Sequence, residues 1–229
     1  YFSHIYLYKD MTQIRTGVAA AILLFSIPYI YYHKFFKFSF VVVLASMFHS
    51  GAIIMYLVYM FYKLKFTKQR VYFVLFISLL IGHLISWVHV FLDMLYNIHL
   101  LPQAVKDYVG WTYDYQLSIL NPITMKQVLV IVLLTMYYNI LNKKVKFFSV
   151  MYCMYLISTL WLILFNEFAI LAARVASFLS IVDVILVPSL ILIFSYKKPA
   201  YVMVLGLSLF MLYLNIDVKN ILSDYITII

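Results

Sequence analysis

FSFVVVLASMFHSGAIIMYLVYMFY, residues 38–62, runs for 25 residues without a Lys, Arg, Asp or Glu. A helix needs roughly 20 apolar residues to cross the ~30 Å hydrocarbon core of a bilayer, so this stretch alone is long enough to span one. Similar runs lie on both sides of it. With it, they number seven: about Ile14–Tyr32, Phe38–Tyr62, Val71–Leu92, Gln127–Leu141, Phe147–Phe165, Arg174–Tyr196 and Ala200–Ile216. Tyrosines such as Tyr29, Tyr31, Tyr32, Tyr137 and Tyr138 crowd their ends, as in the aromatic belts at membrane interfaces. The expected fold is all-α: a polytopic transmembrane helical bundle of about seven segments, forming a single membrane domain over residues 1–229. The fourth run is short for a simple span.

Composition excludes a soluble fold. The 229 residues are 66% hydrophobic and 11% charged, against about 25% charged in soluble domains. The net charge of +9 sits in short lysine clusters between apolar runs, which is the positive-inside pattern and not a nucleic-acid face. The one cysteine, Cys153, has no internal disulfide partner and belongs to no cysteine-based metal motif. The chain starts at Tyr1 without a methionine, and its opening reads as the continuation of a longer protein whose N-terminal helices lie upstream.

The loops His33–Lys37, Lys63–Arg70, Asn142–Lys146 and Lys197–Lys198 are short and basic. The stretch Asp93–Lys126 is long and mixed, and is expected to be an extracytoplasmic loop with a task of its own. Lys63, Lys65, Lys68, Arg70, Lys143, Lys144, Lys146, Lys197 and Lys198 fall on one side, expected to be cytoplasmic. Lys106, Lys126, Arg174 and Lys219 fall on the other. The sides of Lys9, Arg15, Lys34 and Lys37 depend on whether residues 38–62 form one helix or break at His49-Ser50-Gly51. Length favours one span. Acid placement favours the break, because it puts Asp10 on the side of the other acids and Arg15, His49 and Arg174 near one membrane face.

Ionisable groups inside a membrane are costly and mark function. Arg15 and Arg174 each open an apolar run. They are either snorkelling anchors or phosphate clamps, whose guanidinium fork matches phosphate oxygens. Only three of the seventeen basic residues are arginines, which counts against a generic anchor. His49 is either a buried neutral histidine or a group that deprotonates or hydrogen-bonds a sugar hydroxyl. Glu167 and Arg174, seven apart, would share the face of one helix and either pair or bind substrate. His89 and Asp93 are spaced as a hydrogen-bonded pair, since two ligands do not make a metal site. Asp183 is expected to pair with a histidine or lysine. Tyr108, Trp111, Tyr113 and Tyr115 of the long loop stack either on sugar rings or on the membrane surface. There is no phosphate-binding Gly-rich loop, Gly-x-Ser-x-Gly elbow or Asp-x-Asp pair, so the expected chemistry uses no metal, nucleotide or other cofactor.

Asp10-Met-Thr-Gln-Ile-Arg15-Thr-Gly-Val-Ala, followed about thirty residues later by Ala45-Ser-Met-Phe48-His49-Ser50-Gly-Ala-Ile, resembles the EpsG family of bacterial polysaccharide polymerases, which are of the Wzy O-antigen type. Arg174 through Val187-Pro188-Ser189 resembles the family's later arginine-led helix more loosely, because Val-Ala-Ser-Phe follows the arginine. The resemblance implies glycosyl transfer at the outer face of the bacterial inner membrane. The donor would be a glycan on undecaprenyl pyrophosphate and the acceptor a sugar hydroxyl on a second lipid-linked repeat. His49, Arg15 and Arg174 would be catalytic. Ser50, Glu167, Tyr108, Trp111, Tyr113 and Tyr115 would bind substrate. A chain-length regulator protein would be a further partner. An O-antigen ligase or a flippase for lipid-linked oligosaccharide would fit the same composition, although a flippase should show pseudo-repeats, and none is evident.

Overall fold

The computed structural model describes residues 14–64, 67–84, 94, 121–194 and 196–213, and among them every regular element is helical. They form two compact units, each treated by itself. One is drawn from Tyr1–Ile53, Asn139–Phe148 and Asp183–Ile229, the other from Ile54–Tyr138 and Ser149–Val182.

In the first unit, helices α1 (Ile14–Leu24) and α2 (Ile27–Tyr31) make one 18-residue apolar span. A tight turn at residues 32–34 reverses the chain into α3 (Phe35–Phe48), and both α1 and α2 pack against α3. The two arms are therefore antiparallel. The α3 sequence has no polar face: Phe38, Val42 and Ala45 are buried against protein, while Phe36, Phe40, Val43 and Met47 form an exposed stripe. A helix apolar all round, with one side open, is built for lipid on that side. The turns are cornered by two non-glycine residues with left-handed backbone, His33 (φ 53°) and Phe147 (φ 59°). That conformation is disfavoured for residues with a Cβ, and here aromatic packing stabilises it. The Phe147 ring meets Tyr31 and Tyr32 edge-on, with centroids 5.3 and 5.9 Å away. These contacts put the 32–37 and 142–147 loops at the same end of the unit. Lys144 ties the chain at Leu192 to the same end, donating from Nζ to its carbonyl at 2.8 Å.

Residues 38–62 are broken. The α3 helix stops at Phe48, His49 is extended, and a 3₁₀ turn over Ser50–Ile54 leads into α4 (Met55–Phe61). The break, and not the single span, agrees with Lys34 and Lys37 lying beside Lys143, Lys144 and Lys146.

In the second unit, α5 (Lys68–Leu84) packs on α6 (Pro122–Met136). The α6 helix starts five residues before the expected Gln127. Asn121 caps it, accepting the Ile123 N–H at 2.8 Å, and Pro122 occupies the first turn, where its missing N–H costs nothing. Residues 122–126 are therefore helix, not loop. At Tyr137 the chain turns by 81° into α7 (Tyr138–Lys144), and Lys68 Nζ caps the freed carbonyl of Met136 at 2.8 Å. The short fourth run is thus a bent pair. Helix α8 (Phe148–Leu164) is almost wholly buried. Two lateral bonds fix it near its first turns: Tyr62 to Ser149 (3.1 Å) and Thr135 to Tyr152 (2.7 Å).

Helix α9 (Ala169–Leu179) continues through a 3₁₀ turn (Ser180–Val182) into α10 (Asp183–Ser189), which contains Pro188, and then a 3₁₀ turn at Leu190–Ile193. The last described helix is α11 (Lys197–Tyr213). By length and composition two described helices can cross a membrane, Ile14–Tyr31 and Ala172–Ile193, or three if the bent pair counts as one span. The described residues thus confirm fewer than the expected seven. Phe35–Phe48, Ser50–Phe61, Phe148–Leu164 and Lys198–Tyr213 are apolar but shorter. The part of the expected long loop before residue 121 lies outside the described residues, apart from Met94.

Two glycines separate close packing from open space. A Cβ on Gly82 would lie 2.5 Å from the Ile163 carbonyl oxygen, whereas one on Gly206 meets nothing within 4 Å. Gly82→Ala is expected to destabilise the protein by about 2–3 kcal/mol through forced separation of α5 and α8. Gly206→Ala should be neutral or stabilising by up to about 1 kcal/mol, because it removes a helix-interior glycine. Thermal unfolding of the two variants in detergent compares them directly.

Candidate functional site

The break at His49 is made by its own side chain. His49 Nδ1 accepts the Gly51 N–H at 3.1 Å, so the imidazole caps the 3₁₀ turn as Asn or Asp would cap a helix. Inside an apolar run an unpaired N–H is costly, so this bond stabilises the break. With Nδ1 accepting, the bond matches the imidazole tautomer that carries its proton on Nε2; a base acting through Nε2 would need the other tautomer and would lose the Gly51 bond. His49 is half-buried, and Ser50 is exposed at the first position of the turn.

Arg15 lies on α1 with its side chain exposed. Between Arg15 and Tyr31, and between Phe35 and His49, the two antiparallel arms climb about 24 and 21 Å at 1.5 Å per residue. The arms start from the same turn, so Arg15 and His49 reach the same end of the hairpin, opposite the basic loops. A guanidinium and an imidazole donor at one end of a lipid-facing hairpin can bind an anionic group and a neighbouring hydroxyl or phosphate oxygen.

Glu167 and Arg174 belong to the second unit. Arg174 does not open its helix: α9 begins at Ala169, so the arginine lies in the second turn, with its side chain exposed. Glu167 precedes that helix, in the turn after α8, and is buried. The two therefore do not share a helix face. The helix starts early because Phe168 accepts the Ala172 N–H at 2.8 Å, and because Ala172 and Ala176 pack with Leu162 against Ile123 and Phe165. Asp183 is buried at the start of α10.

The second unit also holds buried polar groups that no sequence motif singled out. Asn166 donates from Nδ2 to the Gly82 carbonyl at 2.9 Å. Ser158 lies between the Ala176 carbonyl at 2.8 Å and Gln127 Oε1 at 3.3 Å. Asn166 and Gln127 sit within or at the end of apolar runs, and that placement was the available signal. Among the described residues, no group of three or more His, Cys, Asp or Glu side chains gathers. Tyr108, Trp111, Tyr113, Tyr115, His89 and Asp93 lie outside the described residues.

Comparison with known proteins points in one direction. The model of the EpsG family matches residues 1–227. A curated relative, the amylovoran biosynthesis protein AmsC of Erwinia amylovora, is 26% identical over 181 residues, covering 77% of this chain and 48% of the relative. The chain thus aligns with about half the length of that relative. No solved structure matches.

The cap at His49 is open to test. His49→Asn keeps an acceptor for the Gly51 N–H and should stay within about 0.5 kcal/mol of the parent, whereas His49→Ala should cost about 1 kcal/mol. Faster amide exchange at Gly51 in the alanine variant alone would accompany that difference.

Proposed function

The chain belongs to the EpsG family, and from that membership we propose that it is a membrane-embedded polymerase of surface polysaccharide. It transfers a glycan from undecaprenyl pyrophosphate to a sugar hydroxyl of another lipid-linked repeat. The observation that carries this reading is the broken helix at His49. The motif Phe48-His49-Ser50 through which the chain resembles the family is also where the span is interrupted, at the end of the hairpin that carries Arg15. AmsC, named for amylovoran biosynthesis, supports the polysaccharide class.

In the proposed reaction, the bond from the anomeric carbon to the pyrophosphate oxygen breaks. A bond from that carbon to the acceptor oxygen forms, and the acceptor's proton leaves with solvent or the released pyrophosphate. Arg15 binds the pyrophosphate and offsets the charge that grows on it. His49 donates from Nε2 to orient a reacting oxygen, the role its bond to Gly51 favours over that of a base. Arg174 is a second proposed phosphate-binding group, and Ser50 and Glu167 are proposed to bind sugar hydroxyls. Tyr108, Trp111, Tyr113 and Tyr115 are proposed to stack on sugar rings. None of these roles calls for a metal. The proposed location is the bacterial inner membrane, with the basic loops facing the cytoplasm, as the positive-inside rule supports, and Arg15 facing the periplasm. A chain-length regulator is a proposed partner.

The test is a gel of the source strain's surface polysaccharide after deletion of the gene and its restoration with variants. A single-repeat band in place of a ladder, unrescued by well-expressed Arg15→Ala or His49→Ala, is expected. His49→Gln, which retains a donor near Nε2, should recover part of the ladder. Long glycans left on the lipid carrier would indicate a ligase, and lipid-linked units trapped inside the cell a flippase. Rescue by both alanine variants would remove these residues from the site.

A further inference from the structure

The end of the first unit opposite Arg15 and His49 has a design of its own. Lys34, Lys37, Lys143 and Lys146 are exposed there. Segments 32–37 and 139–147, which the Tyr31, Tyr32 and Phe147 contacts draw together, and residues 190–194, tied to them by the Lys144 bond, contain no Asp or Glu. No carboxylate within them neutralises these lysines. Two of the cations sit over aromatic rings. Lys34 Nζ is 5.8 Å from the centroid of Tyr32, and Lys146 Nζ is 5.0 Å from that of Phe147, both within cation–π reach. Each of these two loops also turns through a disfavoured left-handed residue, His33 or Phe147. Backbone strain of this kind persists where the surroundings over-determine it and tends to collect at binding sites.

We propose that this end is a binding surface for the phosphate headgroup of an anionic phospholipid. The chemistry is that of a phosphate monoanion attached to acyl chains. Like-charged ammonium groups at one end of a hairpin repel one another, and an anion among them relieves that repulsion. Lysine meets phosphate as a point charge. The exposed Phe35 and Phe36 beside the lysines offer apolar surface to acyl chains, which a free phosphate lacks. Juxtamembrane lysines of this kind bind anionic headgroups through short-range, salt-screened attraction. The inference does not depend on the polymerase reading.

Native mass spectrometry of the full chain in neutral detergent, titrated with phosphatidylglycerol or phosphatidylcholine, tests it. Retention of phosphatidylglycerol but not phosphatidylcholine is expected. It should fall about tenfold or more in the double variant Lys34→Gln, Lys146→Gln and stay unchanged in Lys126→Gln. Thermal unfolding without lipid checks that the double variant is folded. Equal retention of both lipids, or undiminished binding by the folded double variant, would overturn the proposal. Displacement of the lipid by excess inorganic phosphate would overturn it as well, by showing a general anion site.

Discussion

A backbone broken inside an apolar solvent leaves N–H and C=O groups that only the protein itself can satisfy, and that constraint organises this chain. At many of the places where a helix stops or bends, a polar side chain reaches a backbone group. His49 takes the Gly51 N–H, Asn121 takes the Ile123 N–H, and Lys68 reaches the Met136 carbonyl. Asn166 holds the Gly82 carbonyl and Lys144 holds that of Leu192. Some of the few polar residues of an apolar sequence thus serve the interruptions. Function can use those same points, because a broken helix exposes directed donors that a continuous one keeps internal.

How much of this was legible depends on range along the chain. The apolar runs gave helix type and approximate position. His49-Ser-Gly, a polar triplet with a glycine in a run of 25 residues, marked the one break resolved by neighbours two residues apart. The bend after Met136 was invisible because its stabilising lysine is 68 residues away. The Asn166 bond to Gly82 crosses 84 residues, so its role could not be read locally. Arg174 was misplaced by five residues because Ala169-Ile-Leu-Ala-Ala is as helical as the residues after it, and helix starts without a Ser, Thr, Asp or Asn cap leave little trace. Arg15, by contrast, stands where the apolar pattern begins, and the structure puts it on a helix with its side chain exposed.

The two ends of the Ile14–Phe48 hairpin differ in chemistry. At one, a single arginine and a histidine bonded to the backbone lie near a break. At the other, several lysines surround packed rings. Arginine and histidine suit directed recognition, and lysine suits diffuse attraction. The sequence uses arginine sparingly and lysine freely, and the placement of the two types in the first unit follows that division.

Helix α11 has a further consequence. Unlike α8, which is buried, it exposes Val202, Leu205, Leu209 and Phe210. Inside a bilayer the packing partners of those side chains are acyl chains, which exchange continually, whereas the neighbours of α8 are side chains held in place by the rest of the protein. The same apolar composition therefore gives one helix a solid environment and the other a fluid one.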